Sequence, residues 1–172
     1  MAISPDTKDW TWVLTEECPE CGLAAGDVPP TEIGQRVRDD LPRWQAVLAK
    51  PDAGVRPNGD IWSPTEYACH VRDVFGLFTD RLVLILDEDD PEFANWDQDV
   101  AAIESDYASQ LAAPVSEELV AAGKRAAAAF DAVPADAWGR SGRRSNGSVF
   151  TAATLGQYFL HDVVHHLHDV DG

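Results

Sequence analysis

Four stretches of the chain repeat apolar residues at intervals of three and four, the spacing of a helix that buries one face. In the first, Ile33, Val37, Leu41, Trp44, Val47 and Leu48 predict a helix that Thr31 can cap. Pro42 lies inside this pattern and lacks a backbone donor, so a kink or break is expected there. The second opens on Ser63-Pro64-Thr65-Glu66, a capping box with proline at the first helical position, and runs to about Asp87. Its apolar positions, Val71 to Leu86, nearly encircle it, as in the central member of a bundle. A third helix is expected from near Ser116 to Val133, ahead of Pro134, and a fourth from a Thr151 cap to about Val170. No alternating pattern is long enough to argue for a sheet, so the fold class is all-α.

The stretches between these helices differ in kind. Residues 1–30 carry no sustained period and read as a non-helical N-terminal extension, laid over the domain of residues 31–172 by Trp10 and Trp12. Residues 51–60 form a loop rich in Pro, Gly, Asp and Asn. Residues 87–115 make a long polar connection between helices two and three, with a helical piece expected near Ala101 to Leu111. A connection this long is often functional, and the part from Trp96 to Tyr107 could cover a site.

Charge narrows the partners. With 13 Lys and Arg against 30 Asp and Glu, the 172 residues carry a formal charge of −17. Such a surface repels phosphate backbones and anionic lipids, and the nearest basic cluster, Arg140 to Arg144, is three arginines in a turn. Nucleic acid and membranes are therefore not expected partners. No apolar run approaches the roughly 20 residues that span a bilayer, and no basic-then-apolar leader opens the chain, so a cytoplasmic protein is expected. Three cysteines, Cys18, Cys21 and Cys69, are too few for a disulfide framework. Cys18-Pro19-Glu20-Cys21-Gly22 can serve as a reduced dithiol or as half of a zinc site completed by other residues.

The densest chemistry is at the end of the chain, where His161, His165, His166 and His168 sit within eight residues. On a helix, Thr154, Tyr158, His161, His165 and His168 share one strip, while Leu155, Phe159, Val163, His166 and Val170 lie on another. Residues four apart bring two imidazoles to one ion, so His161 and His165 are candidate metal ligands. His70, on a strip with Glu66, Val74, Leu77 and Arg81, is the natural third ligand and would leave a coordination position open. His168 is a marginal fourth group, and His166 is expected to point elsewhere. A zinc protease of the His-Glu-x-x-His type fits less well, because Asp162 stands where the glutamate would be.

Trp62-Ser63-Pro64-Thr65-Glu66-Tyr67 with His70 behind it, then Trp138-Gly139-Arg140, then His161-x-x-x-His165, resemble the DinB-like superfamily over about residues 31–170. That superfamily includes the mycothiol-dependent maleylpyruvate isomerases and other thiol S-transferases. The resemblance implies a four-helix bundle in which His70, His161 and His165 bind a divalent metal, zinc or nickel. It implies a transferase or isomerase that joins a low-molecular-weight thiol to a small electrophile; whether the bundle is a monomer or a homodimer is left open by the sequence. Tyr158 and Arg81 are candidates for orienting substrate, with packing and a solvated ion pair as their plainer roles. A non-catalytic metal or small-ligand binding bundle and a metal-assisted hydrolase are the alternatives. The cysteine-bearing extension lies outside the resemblance.

Overall fold

Pro42 does not interrupt the first helix. In the computed structural model, which describes residues 9–172, α1 runs unbroken over Ile33–Leu48 with Pro42 inside it. Pro42 sits on the exposed face, while Leu41, Trp44, Val47 and Leu48 are buried. Burying several large apolar side chains at roughly 1.5–3 kcal/mol each outweighs an internal proline's cost of about 3 kcal/mol. Thr31 is not a cap. It lies in a single 3₁₀ turn, Pro30–Glu32, that leads straight into α1.

Helix α2 (Pro64–Asp87) starts on the capping box its sequence predicts: Glu66 N–H donates to Ser63 Oγ at 3.2 Å, and Ser63 N–H to Glu66 Oε2 at 2.8 Å. The connection that follows holds a two-residue strand, β1 (Glu92–Phe93), a short helix, α3 (Gln98–Glu104), and a 3₁₀ turn over Tyr107–Ser109. The Asp97 carboxylate caps α3 by accepting from the amides of Asp99 and Val100, so the helical piece begins before Ala101. Helix α4 (Ala112–Asp131) also starts earlier than expected, since Pro114 is tolerated in its first turn. Strands β2 (Ser141–Arg144) and β3 (Val149–Thr151) precede α5 (Ala152–Asp169), which Thr151 caps in a second box with Thr154.

Helices α1, α2, α4 and α5 form a four-helix bundle, with α4 and α5 each packed against both α1 and α2. Phe159 of α5 marks its centre, fully buried and packed on Phe75, Phe78 and Phe130 at ring-centroid distances of 5.8, 5.5 and 5.2 Å. The helical bundle stands as expected, with an addition the sequence did not predict: β1, β2 and β3 form a small sheet in that order, β1–β2 parallel and β2–β3 antiparallel. Its strands are two to four residues long, too short to show alternation. The sheet lies so close to α2 that a Cβ on Gly142 would stand 2.7 Å from Ile85 Cγ1. Arg140 ties the same segment to the end of α2, its guanidinium donating to the carbonyls of Ile85 and Glu88 at 2.9 and 2.6 Å.

The described part of the extension packs along α5, with Val13, Cys18 and Ala25 buried. Gln157 of α5 holds it by donating to the carbonyls of Gly26 and Val28 at 3.0 and 2.9 Å. No helix among the described residues is long and apolar enough to cross a membrane.

Candidate functional site

Near its C-terminal end α5 is covered on two flanks, by α2 on one and by the extension on the other. Neighbouring residues on a helix are rotated by about 100°, so consecutive positions here face different partners. Among the described residues, two groups of potential metal-ligating atoms lie within 4.8 Å of one another: His70, Asp162 and His166, and separately Cys18, Cys21, His161 and His165. The structure thus does not gather the three expected histidines. His70 meets the Asp162/His166 pair, and His161 and His165, one residue earlier in each case, meet the cysteines.

His166 therefore does not point away from the chemistry. Its ring lies edge-on to that of His70, 4.8 Å between centroids, and its Nδ1 is 2.9 Å from Asp169 Oδ2. His70 is almost fully buried between Trp62 and Trp96, at 5.7 and 5.4 Å, with Nε2 3.2 Å from Asp162 Oδ1. Its Nδ1 is buried without a hydrogen-bond partner. Burial works to raise the Asp162 carboxyl, but the charge and hydrogen bond of His70, followed by His166, hold it at about 2. A carboxylate and two imidazoles are a donor set that a divalent ion accepts, so these residues fit a metal.

On the other flank, burial and then the neighbouring His165 pull His161 down to about 4, and burial lowers His165 as well. Both imidazoles are thereby kept neutral at pH 7, the form that ligates metals. Trp10 packs against both rings, at 5.7 and 5.3 Å. His168 is exposed, its ring 6.5 Å from His165.

A cavity of about 740 Å³ opens over this end of the bundle. Asp162 and His166 stand in its wall with Trp62, Tyr67, Trp96 and Tyr158, and the second histidine pair also reaches it. The connection after α2 contributes Asn95 to Asp99, so the polar segment does line the cavity. Tyr158 lies under the Arg144 guanidinium, 5.8 Å from its ring centroid. Burial raises the Tyr158 hydroxyl, with the Arg144 hydrogen bond opposing it, so the phenol stays protonated at pH 7.

Arg81 does not belong to this cavity. Buried, it donates to the Ala94 carbonyl at 2.9 Å and lies over the rings of Phe78 and Phe93, at 5.1 and 4.9 Å. It clamps the connection to α2, and burial lowers its pKa to about 10. The cation that lines the cavity is Arg144, which the sequence shows only as part of a basic turn. Its three arginines divide their work: Arg140 on α2, Arg143 paired with Asp90, and Arg144 at the cavity.

Imidazoles and a carboxylate projecting from facing helices are a donor set that helical bundles use to hold metal ions. Residues 33–170 match the profile of the DinB superfamily, and the chain belongs to that superfamily. Among solved structures it is similar to YfiT from Bacillus subtilis, with a TM-score of 0.70 and 14% identity over 83% of this chain and 85% of that one. YfiT is described as a probable metal-dependent hydrolase with an unusual four-helix bundle topology. No curated protein matches the chain.

Proposed function

We propose that the protein is a metal-dependent enzyme that joins a low-molecular-weight thiol to a small electrophile, as a transferase or isomerase, with His70, Asp162 and His166 holding the ion. The observation that carries this reading is the position of these three donors, within 4.8 Å of one another, with Asp162 and His166 in the wall of a 740 Å³ cavity and His70 buried beside them. Three protein ligands leave room for an exogenous one, which distinguishes a reactive site from a closed structural one. A divalent ion held there, zinc or nickel, would lower the pKa of a thiol brought to it and offset negative charge developing on the substrate.

The chain's own residues supply the rest. Among the described residues Arg144 is the only Arg or Lys in a wall otherwise rich in acids, and it binds a carboxylate or similar anion on the electrophile. The Tyr158 hydroxyl, kept protonated, donates a hydrogen bond to oxygen at the reacting end of that molecule. Trp62 and Trp96 shield His70 from water on both faces. The indole and phenol surfaces of Trp62, Tyr67 and Trp96 offer flat apolar walls to the body of the thiol. The similarity to YfiT supports a second reading, metal-assisted hydrolysis, in which water takes the thiol's place.

Thiol consumption against a panel of electrophiles, with ester and amide hydrolysis assayed in parallel, separates the two. Metal-dependent thiol consumption that collapses in His70→Ala and Asp162→Ala is the expected result. Thiol-independent hydrolysis with the same residue dependence would transfer the site to the second reading, and no turnover of either kind would reduce it to a binding site.

A further inference from the structure

The geometry points to a second metal site, a closed thiolate–imidazole centre of the class that takes zinc, formed by Cys18, Cys21, His161 and His165 and fastening the N-terminal extension to α5. The four donor atoms lie within 4.8 Å of one another although they come from the two ends of the chain. Cys18, His161 and His165 are buried, and Cys21 is half-buried. Two sulfurs and two imidazole nitrogens complete the four-coordinate sphere of structural zinc and select against the harder ions that suit a carboxylate.

The local backbone is built for this. Gly22 follows Cys21 with φ +72°, its N–H donating to Cys18 O at 2.8 Å, while Cys18 N–H donates to Leu23 O at 3.0 Å. The resulting knuckle turns the amides of Leu23 and Cys21 towards the Cys21 sulfur, while burial, the larger influence, pushes that thiol up to about 11. Across from it, His165 turns Nδ1 to Cys18 Sγ at 3.6 Å and Nε2 to Glu20 Oε2 at 3.3 Å. A ligating histidine whose other nitrogen donates to a carboxylate is the usual outer arrangement of a zinc centre, and here Glu20 belongs to the knuckle itself. His161 Nε2 is buried and has no hydrogen-bond partner, a deficit that an ion would remove. On binding, each thiol releases its proton to solvent and the imidazoles ligate as neutral bases. With four ligands from the protein no position stays open, so this centre is structural.

The site is independent of the proposed reaction, and its test does not read activity. Apo full-length protein is loaded with Co²⁺, and the thiolate-to-cobalt charge-transfer absorption is recorded. The band is expected in the wild type, retained in His70→Ala, and lost in Cys18→Ser/Cys21→Ser. In unmutated protein, Zn²⁺ is expected to withdraw two thiols from reaction with a thiol reagent, and a chelator to restore them; this measurement stands even if the serine variant fails to fold. A wild type without the band, a band that survives loss of both cysteines, or thiol reactivity indifferent to zinc would overturn the proposal. Loss of the band in folded His70→Ala would overturn it too, because the cysteines would then share a single centre with His70.

Discussion

Tyr158 and Arg144 touch each other in the cavity wall but are asked to do different things, and kinetics can separate them. Tyr158→Phe removes a donor that matters as charge develops, so kcat/KM should fall about 10²-fold, mainly in kcat, with metal content unchanged. Arg144→Ala removes an anchor used in the ground and transition states alike, so KM for an anionic electrophile should rise with little change in kcat. Equal effects on both constants in both variants would show that neither has the assigned role. Arg81 carries a lesson at the same scale. It shares a helical strip with His70, but eleven residues along a helix is about 16 Å, far beyond a common site. A strip gives direction without distance, and Arg81 finds Ala94, Phe78 and Phe93 instead.

At the scale of the element, α2 is fixed by its first turn. Glu66 closes the capping box and pairs with Arg56. Burial works to raise the Glu66 carboxyl, yet the Arg56 and Ser63 hydrogen bonds leave it below its ordinary 4.5. A depressed carboxylate contributes stability above its unfolded pKa and loses it as pH falls through the folded value. Glu66→Gln should therefore cost about 2 kcal/mol at pH 7, a deficit that shrinks below pH 4.5 as the wild type is protonated, measured by urea unfolding across pH. In α1, Pro42→Ala should raise stability by about 1–2 kcal/mol, because an interior proline costs about 3 kcal/mol and returns at most about 1 through the unfolded chain. Both helix starts at the site were legible because Ser63/Glu66 and Thr151/Thr154 act over three residues. The sheet and the cap on α3 were not, since strands of two to four residues have no period to read.

The whole molecule decides what one helix cannot. From sequence, α5 yields two pairs at helical spacing, His161/His165 and Asp162/His166, but not which flank meets α2. That depends on an extension whose Cys18 is 147 residues from His165, a separation no local pattern encodes. An ion bound to the folded state alone stabilises it by mass action, about 2.7 kcal/mol at a hundredfold excess over Kd. Chelation should accordingly lower the wild-type Tm by several degrees in calorimetry, and Cys18→Ser/Cys21→Ser should show a smaller drop. An equal drop in both would place all the linkage at His70, Asp162 and His166.

The offset of one residue between the two pairs on α5 makes the end of the bundle behave like a reading frame. Inserting a single alanine between Leu160 and His161 would carry His161 and His165 to the flank that faces His70, and would present the new alanine and Val164 to the cysteines. Such a variant should gain an all-imidazole triad and lose the cobalt–thiolate band in the same step. Neither flank could be retuned by insertion or deletion without rewriting the other, so the spacing of this helix must be inherited as a unit even where its individual side chains are free to change.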